Sequence, residues 1–200
     1  MNSDNAPVTY RVVLIGSTEV GKTSLVTCFL RHHFEEQSKS TVGAVFHIHE
    51  RVVDGRKYIM QLWDTAGQEK YRSLGPIYYR EAQAALAVFD VANKDSFDDL
   101  PKWINDFKRN TKDAKIFIVG NKIDIPNRQV SSEEIARFAT ECDDADWFEA
   151  SAKTTENVPE VFETVLNTLI HESKGLPDTV SFDSESSFPE PNNNNNNSCC

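Results

Sequence analysis

Apolar runs and alternations divide this chain into strands and helices that follow one another in turn. Val12 to Ile15 is short and unbroken, the pattern of a strand buried on both faces. A helix is expected over roughly residues 22–31, then a polar loop from His32 to Thr41. Ala44 to Val53 alternates, with Phe46, Ile48 and Val52 on one face, and predicts a half-exposed strand. Asp54-Gly55 is a tight-hairpin signal, and residues 56–63 return as a second strand. Ala84 to Val91 and Ile116 to Val119 are further buried strands. Between them Leu100, Trp103, Ile104 and Phe107 form one helix face, with Asp98 or Asp99 as its cap and Pro101 in its first turn. Ser131 and Glu134 make a capping box ahead of Ile135, Phe138, Ala139 and Cys142. Trp147 to Ala150 is a last short strand. Val158, Val161, Phe162, Val165, Leu166 and Leu169 mark the final helix, with Asn157 as its cap.

Composition narrows the class. The 200 residues are 39% hydrophobic and 26% charged, enough for one α/β domain with a proper core. A net charge of −10 argues against binding a nucleic-acid polymer, which needs a basic footprint. The polar N-terminal stretch predicts no signal peptide, and no apolar run approaches a membrane span. Residues 1–7 are expected to be disordered, 8–174 to form the domain, and 175–200 to be a disordered tail. That tail is Ser, Asp, Glu, Pro and a run of Asn without Lys or Arg. Cys28 and Cys142 are expected as small core residues. Cys199 and Cys200 end the chain, an unusual place for a structural disulfide.

Three stretches carry chemistry. Gly16, Gly21, Lys22 and Thr23 fit G-x-x-x-x-G-K-[ST] between a strand and a helix, a phosphate-binding loop. Its glycines allow close backbone approach, its amides present partial positive charge, and Lys22 adds a full charge near the β- and γ-phosphates. The Thr23 hydroxyl suits Mg²⁺. Asp64, ending an apolar strand, is the matching carboxylate; Gly67 supplies a hinge, and Gln68 a group to orient water. Finally, Asn121-Lys122-Ile123-Asp124 closes another strand. A carboxylate at Asp124 can accept from both N1–H and the exocyclic amine of guanine, whereas adenine offers neither donor there. Lys122 can lay its stem over the base, and the Ala152 N–H can meet the guanine carbonyl. Phe34, an aromatic in a polar loop, can fold into the core or lie against a flat base.

G-S-T-E-V-G-K-T, Thr41, D-T-A-G-Q-E, N-K-I-D and E-A-S-A-K occur in the order of the Ras superfamily of small GTPases. Trp63 before D-T-A-G, Val42-Gly43-Ala44-Val45-Phe46, Tyr78-Tyr79-Arg80 and the terminal Cys-Cys resemble its Rab branch. Ser73-Leu74-Gly75-Pro76 and Glu81 to Ala85 look closest to the early-endosomal group. The resemblance implies a P-loop G domain with a six-stranded, mostly parallel sheet and helices on both faces. It implies a GTP/GDP-cycling switch that hydrolyses GTP with Mg²⁺. Nucleotide contacts fall on Gly16, Ser17, Thr18, Glu19, Val20, Gly21, Lys22, Thr23, Ser24, Phe34, Thr41, Gly67, Asn121, Lys122, Asp124, Ser151, Ala152 and Lys153. Mg²⁺ falls to Thr23, Thr41 and Asp64, and hydrolysis to Gln68, Lys22, Thr41 and Gly67. Phe46, Trp63 and Tyr78 resemble the triad that effectors read. Cys199 and Cys200 resemble the site of two geranylgeranyl groups, hence a place on the cytoplasmic face of intracellular membranes. The implied partners are an exchange factor, a GTPase-activating protein, a GDP-dissociation inhibitor, an escort protein with its geranylgeranyltransferase, and effectors.

Three residues depart from that family's pattern. Thr18 and Glu19 replace small residues in the phosphate loop, and Glu81 replaces the glycine of Y-Y-R-G. The first two admit a second expectation, a GTP-locked scaffold that no longer cycles. A metabolic phosphotransferase is a third, but it needs an arginine-bearing lid that the sequence does not supply.

Overall fold

The computed structural model describes residues 6–34, 41–67 and 75–174. In strand β1 (Val8–Ile15), Val12 and Leu14 join one core cluster while Val13 and Ile15 join another. That division explains the unbroken apolar run: both faces of β1 are covered. The first cluster packs helices α1 (Lys22–Arg31) and α6 (Val158–Lys174) on one face. The second packs α3 (Lys94–Asp98), α4 (Leu100–Lys108) and α5 (Ser132–Glu141) on the other.

The remaining strands are β2 (Ala44–Val53), β3 (Arg56–Thr65), β4 (Ala84–Asp90), β5 (Lys115–Asn121) and β6 (Asp146–Ala150), with a short helix α2 (Gly75–Tyr79). The sheet order is β2-β3-β1-β4-β5-β6. Only the β2–β3 pair is antiparallel. Its turn has φ 52° at Asp54 and 78° at Gly55, the two positive values a two-residue hairpin of primed type requires. Because β1 lies between β3 and β4, strand order reverses beside it, and the crevice falls at the carboxyl ends of the parallel strands.

The capping box is present: Ser131 Oγ accepts from the Glu134 amide, and Glu134 Oε2 accepts from the Ser131 amide. Asn157 sits at the cap position, its carbonyl accepting from the Val161 amide at 3.1 Å, but its φ is 59° and its carboxamide NH₂ is turned to donate to the Glu149 carbonyl. Cys28 is buried, and Cys142 is the half-buried residue after α5. Strand β2 is half-exposed, yet its apolar side is the one in solvent: Phe46 is 42% exposed, Ile48 52% and Val52 67%. The polar side packs instead. His49 lies 4.7 Å from the Phe29 ring, and Arg51 pairs with Glu163 of α6.

Glu81 has φ 63°, a left-handed backbone that glycine adopts freely and glutamate does not. This is the position where the resemblance leads one to expect glycine. Its ion pair with Arg80, 3.9 Å long and exposed, offers little in return. Glu81→Gly should therefore stabilise the domain by about 0.5 kcal/mol, the relief of strain less glycine's own entropy cost. Urea denaturation measures this; a lower midpoint in the variant would mean the backbone is unstrained there.

The expected disorder of residues 1–7 falls mostly, and that of 175–200 wholly, outside the described residues, as do Gln68, Cys199 and Cys200. Among the described residues no helix is long and apolar enough to cross a membrane.

Candidate functional site

The loop after β1 is shaped by close contacts that only glycine permits. A Cβ on Gly21 would collide with the Asn121 carboxamide, and one on Gly67 with the Ser17 carbonyl and Lys22 Nζ. Lys22 is buried and folds back over the loop, with Nζ donating to the carbonyls of Gly16 at 2.8 Å and Ser17 at 2.7 Å. Burial lowers its pKa to about 8, against the pull of Asp64.

Thr23, Thr41 and Asp64 meet at one point. Asp64 Oδ2 accepts from Thr23 Oγ1 at 2.6 Å and from Thr41 Oγ1 at 3.4 Å, and the two hydroxyls are 2.9 Å apart. Desolvation raises the Asp64 pKa, while the Thr23 hydroxyl and the Lys22 ammonium lower it. Its other oxygen, Oδ1, is buried and has no hydrogen-bond partner among the described residues. A buried carboxylate oxygen left unpaired is costly, and three hard oxygens gathered on one side suit a small divalent cation.

Asn121 ties the distant motifs together. Its Nδ2 donates to the Val20 carbonyl at 2.9 Å, and its Oδ1 accepts from the Ala152 amide at 3.1 Å. Asp124 Oδ1 accepts from Ser151 Oγ at 2.6 Å, and Lys153 Nζ stands 3.9 Å from Oδ2. Lys122 is held by Asp90 at 2.8 Å.

These groups surround a cavity of about 380 Å³, within the range of small-ligand sites. Of the residues to which the resemblance assigns nucleotide contacts, Thr18, Glu19, Gly21, Lys22, Thr23, Ser24, Phe34, Thr41, Gly67, Asn121, Lys122, Asp124, Ala152 and Lys153 line it. Gly16, Ser17, Val20 and Ser151 do not. They stand behind the wall, and the fully buried Ser151 acts by orienting Asp124. Phe34 packs on the core beside α1 and also lines the cavity.

The sequence reading missed Thr65 and Ile125 in the lining, and Asp90 behind it. Asp90 was findable: it ends a buried strand, the same signal that picked out Asp64. It also missed a tether on the phosphate loop. Trp103 Nε1 donates to Ser17 Oγ at 3.3 Å, and Ser17 Oγ reaches Asp99 Oδ2 at 3.5 Å. Away from the cavity, Phe46 and Trp63 face each other in register with ring centres 5.3 Å apart, and Tyr78 is 5.8 Å from Trp63. The expected triad is thus one contiguous surface.

Comparison with known proteins agrees with this geometry. The model of the Ras family matches residues 11–171. Ras-related protein Rab-5A of Dictyostelium discoideum is 40% identical over 164 residues, covering 81% of each chain. GTP-binding protein ypt3 of Schizosaccharomyces pombe is 42% identical, covering 78% of this chain and 74% of its own. Ras-related protein Rab-12 of Mus musculus is 43% identical, covering 76% of this chain and 63% of its own. These relatives give no support to a scaffold that has stopped cycling. The chain belongs to the Ras family and is a Rab-type small GTPase, an enzyme that hydrolyses GTP and acts as a switch in vesicular transport.

Proposed function

We propose that the cavity holds GDP or GTP with Mg²⁺, and that the nucleotide's γ-phosphate decides whether the Phe46–Trp63–Tyr78 surface is read by effectors. The convergence of Thr23, Thr41 and the unpaired Asp64 oxygen beside Lys22 carries this reading. Thr23, Thr41 and Asp64 would hold the cation, which when bound neutralises phosphate charge. The loop's amides and Lys22 hold phosphate oxygens in this reading: Lys22 lines the cavity, its ammonium resting on the Gly16 and Ser17 carbonyls, and the start of α1 brings partial positive charge to the same wall. Asp124, backed by Ser151, accepts from the base; Phe34 and the Lys122 stem cover its faces. Gln68 orients the attacking water. Thr41 and Gly67, one on each flank of the site, are the groups that change partners when the γ-phosphate leaves.

The test uses Thr23→Asn. The carboxamide replaces a hydroxyl that touches both Asp64 and Thr41, so the loss should fall on the triphosphate. The ratio of GTP to GDP affinity should drop by about tenfold. An unchanged ratio, measured by competition with a fluorescent nucleotide, would remove Thr23 from the cation site.

The tail supplies the membrane anchor in this reading, through geranylgeranyl groups on Cys199 and Cys200. One modest chain binds reversibly at about 0.8 kcal/mol per buried CH₂, so a stable anchor takes two signals. A basic patch cannot be the second signal, because the tail has no Lys or Arg and is repelled by anionic lipid. Cys199→Ser should leave weak, rapidly exchanging membrane association, and the double serine variant should be wholly cytosolic with nucleotide binding intact. Flotation with mass spectrometry of the C-terminal peptide decides it; an unmodified peptide in the membrane fraction would end the idea. The early-endosomal resemblance and a Rab-5A among the relatives favour an endosomal membrane. The partners in this reading are an exchange factor, an activating protein, a GDP-dissociation inhibitor, an escort protein with its geranylgeranyltransferase, and effectors.

A further inference from the structure

Glu19 lies in the phosphate loop, lines the cavity and has φ 62°. It departs from the local rule twice. A left-handed backbone strains any residue with a Cβ, and a carboxylate opposes the polyanion the loop is built to hold. Strain and misplaced charge kept together at a ligand site point from an outlier to a function.

The charges around the cavity sharpen the point. Lys22, Lys122 and Lys153 are its cationic lining among the described residues. Lys122 is already paired with Asp90 at 2.8 Å, and Lys153 stands 3.9 Å from Asp124. Lys22 therefore carries the positive charge toward the phosphates, and Glu19, three residues earlier on the same loop, opposes it. With Asp64 also acting on Lys22, the lining offers the phosphates little side-chain cationic charge, and Glu19 subtracts from it.

We infer that Glu19 sets a short residence time for bound guanosine diphosphate, so that this switch exchanges nucleotide rapidly without an exchange factor. The inference rests on the nucleotide site proposed above and adds a rate to it. Repulsion between Glu19 and the diphosphate is present in the bound state and relieved as the ligand leaves, so it speeds release more than it slows capture. With GTP the commoner nucleotide in a cell, rapid exchange would bias the protein toward the triphosphate form.

The experiment follows release of fluorescently labelled GDP from the full chain after a chase with unlabelled GDP. Glu19→Gln removes the charge but keeps the size and the backbone strain. It should release GDP about tenfold more slowly, the effect of one like charge beside a polyphosphate in a partly solvated site. The difference should shrink as salt rises from ~0.05 M to ~0.5 M, because screening acts on the charge and not on packing. Glu19→Ala should slow release similarly, and Glu19→Gly at least as much. Release from Glu19→Gln within about twofold of the parent would overturn the inference, as would a difference that salt leaves untouched. So would slowing seen in Glu19→Gly alone, which would assign the effect to strain. A parent protein that takes up no labelled GDP overturns the nucleotide site itself, a separate result.

Discussion

Asp124→Asn should bind GTP at least about 10³-fold more weakly than the parent and turn toward xanthosine triphosphate, because an unmatched polar group in a built site is heavily penalised. The geometry says how. Ser151 Oγ accepts from the Thr154 amide at 3.1 Å and donates to Asp124 Oδ1, so its hydroxyl hydrogen is committed to that oxygen. In the variant the carboxamide oxygen takes this place and the NH₂ turns toward the base. Guanine presents two donors there, N1–H and an amine, and meets a donor. Xanthine carries a carbonyl in place of the amine and can accept. Lys153 reinforces the direction: its ammonium stands near Oδ2, attracts a carboxylate and is indifferent to an amide. Competition binding with both nucleotides measures the switch. A variant that melts like the parent yet keeps GTP affinity would take the base subsite away from Asp124.

What could be read from the sequence was what depends on local order. The phosphate loop, the hairpin at Asp54-Gly55 and the capping box at Ser131 each need only neighbouring residues, and each appears where its pattern put it. The helix Lys94–Asp98 went unread because its cap, Asn93 accepting from the Ser96 amide, heads a segment of barely more than one turn with no apolar period. Strand β2 shows a different limit. Alternation identifies two faces but not which one the rest of the protein covers. Here α1 and α6 offer Phe29 and Glu163, which accommodate His49 and Arg51, and the apolar side is left outward beside Trp63. An outward apolar stripe of this kind is itself informative, since such patches mark surfaces that meet a partner.

The site was legible as a set of motifs and not as an assembly. Nothing in the spacing of Asn121 shows that it spans from the Val20 carbonyl to the Ala152 amide, because both partners come from other loops. That bridge ties the loop after β1 to the loops after β5 and β6, although its first two partners lie about a hundred residues apart. The same holds for Ser17, whose side chain is fixed by Trp103 and Asp99 from α4 and its cap. The apolar period of α4 correctly marks Trp103 as core, but cannot reveal that its indole N–H also reaches the phosphate loop.

Gly16→Ala should be the most damaging single methyl group in the domain. Gly16 has φ 135°, and a Cβ built there would come inside 3.0 Å of the Val88 carbonyl oxygen, with the carbonyl carbon and amide of the same residue close behind. Val88 is in the middle of β4, fully buried and paired in register with Val119 of β5. Its carbonyl cannot swing aside without breaking the sheet. Strain at a forbidden backbone angle and a clash with fixed backbone should together cost at least about 4 kcal/mol, the range reserved for such mechanisms. For a domain of this size that lowers the melting temperature by about 10 °C or more. Gly55 is the control. It also has positive φ, 78°, but a Cβ there meets nothing within 4 Å. Gly55→Ala should therefore cost only the backbone term, about 1–2 kcal/mol, and a few degrees. Thermal melts of the two variants, loaded with the same nucleotide, isolate the close approach of loop to strand from the angle alone. Equal melting temperatures would mean that β4 does not hold the phosphate loop against its face.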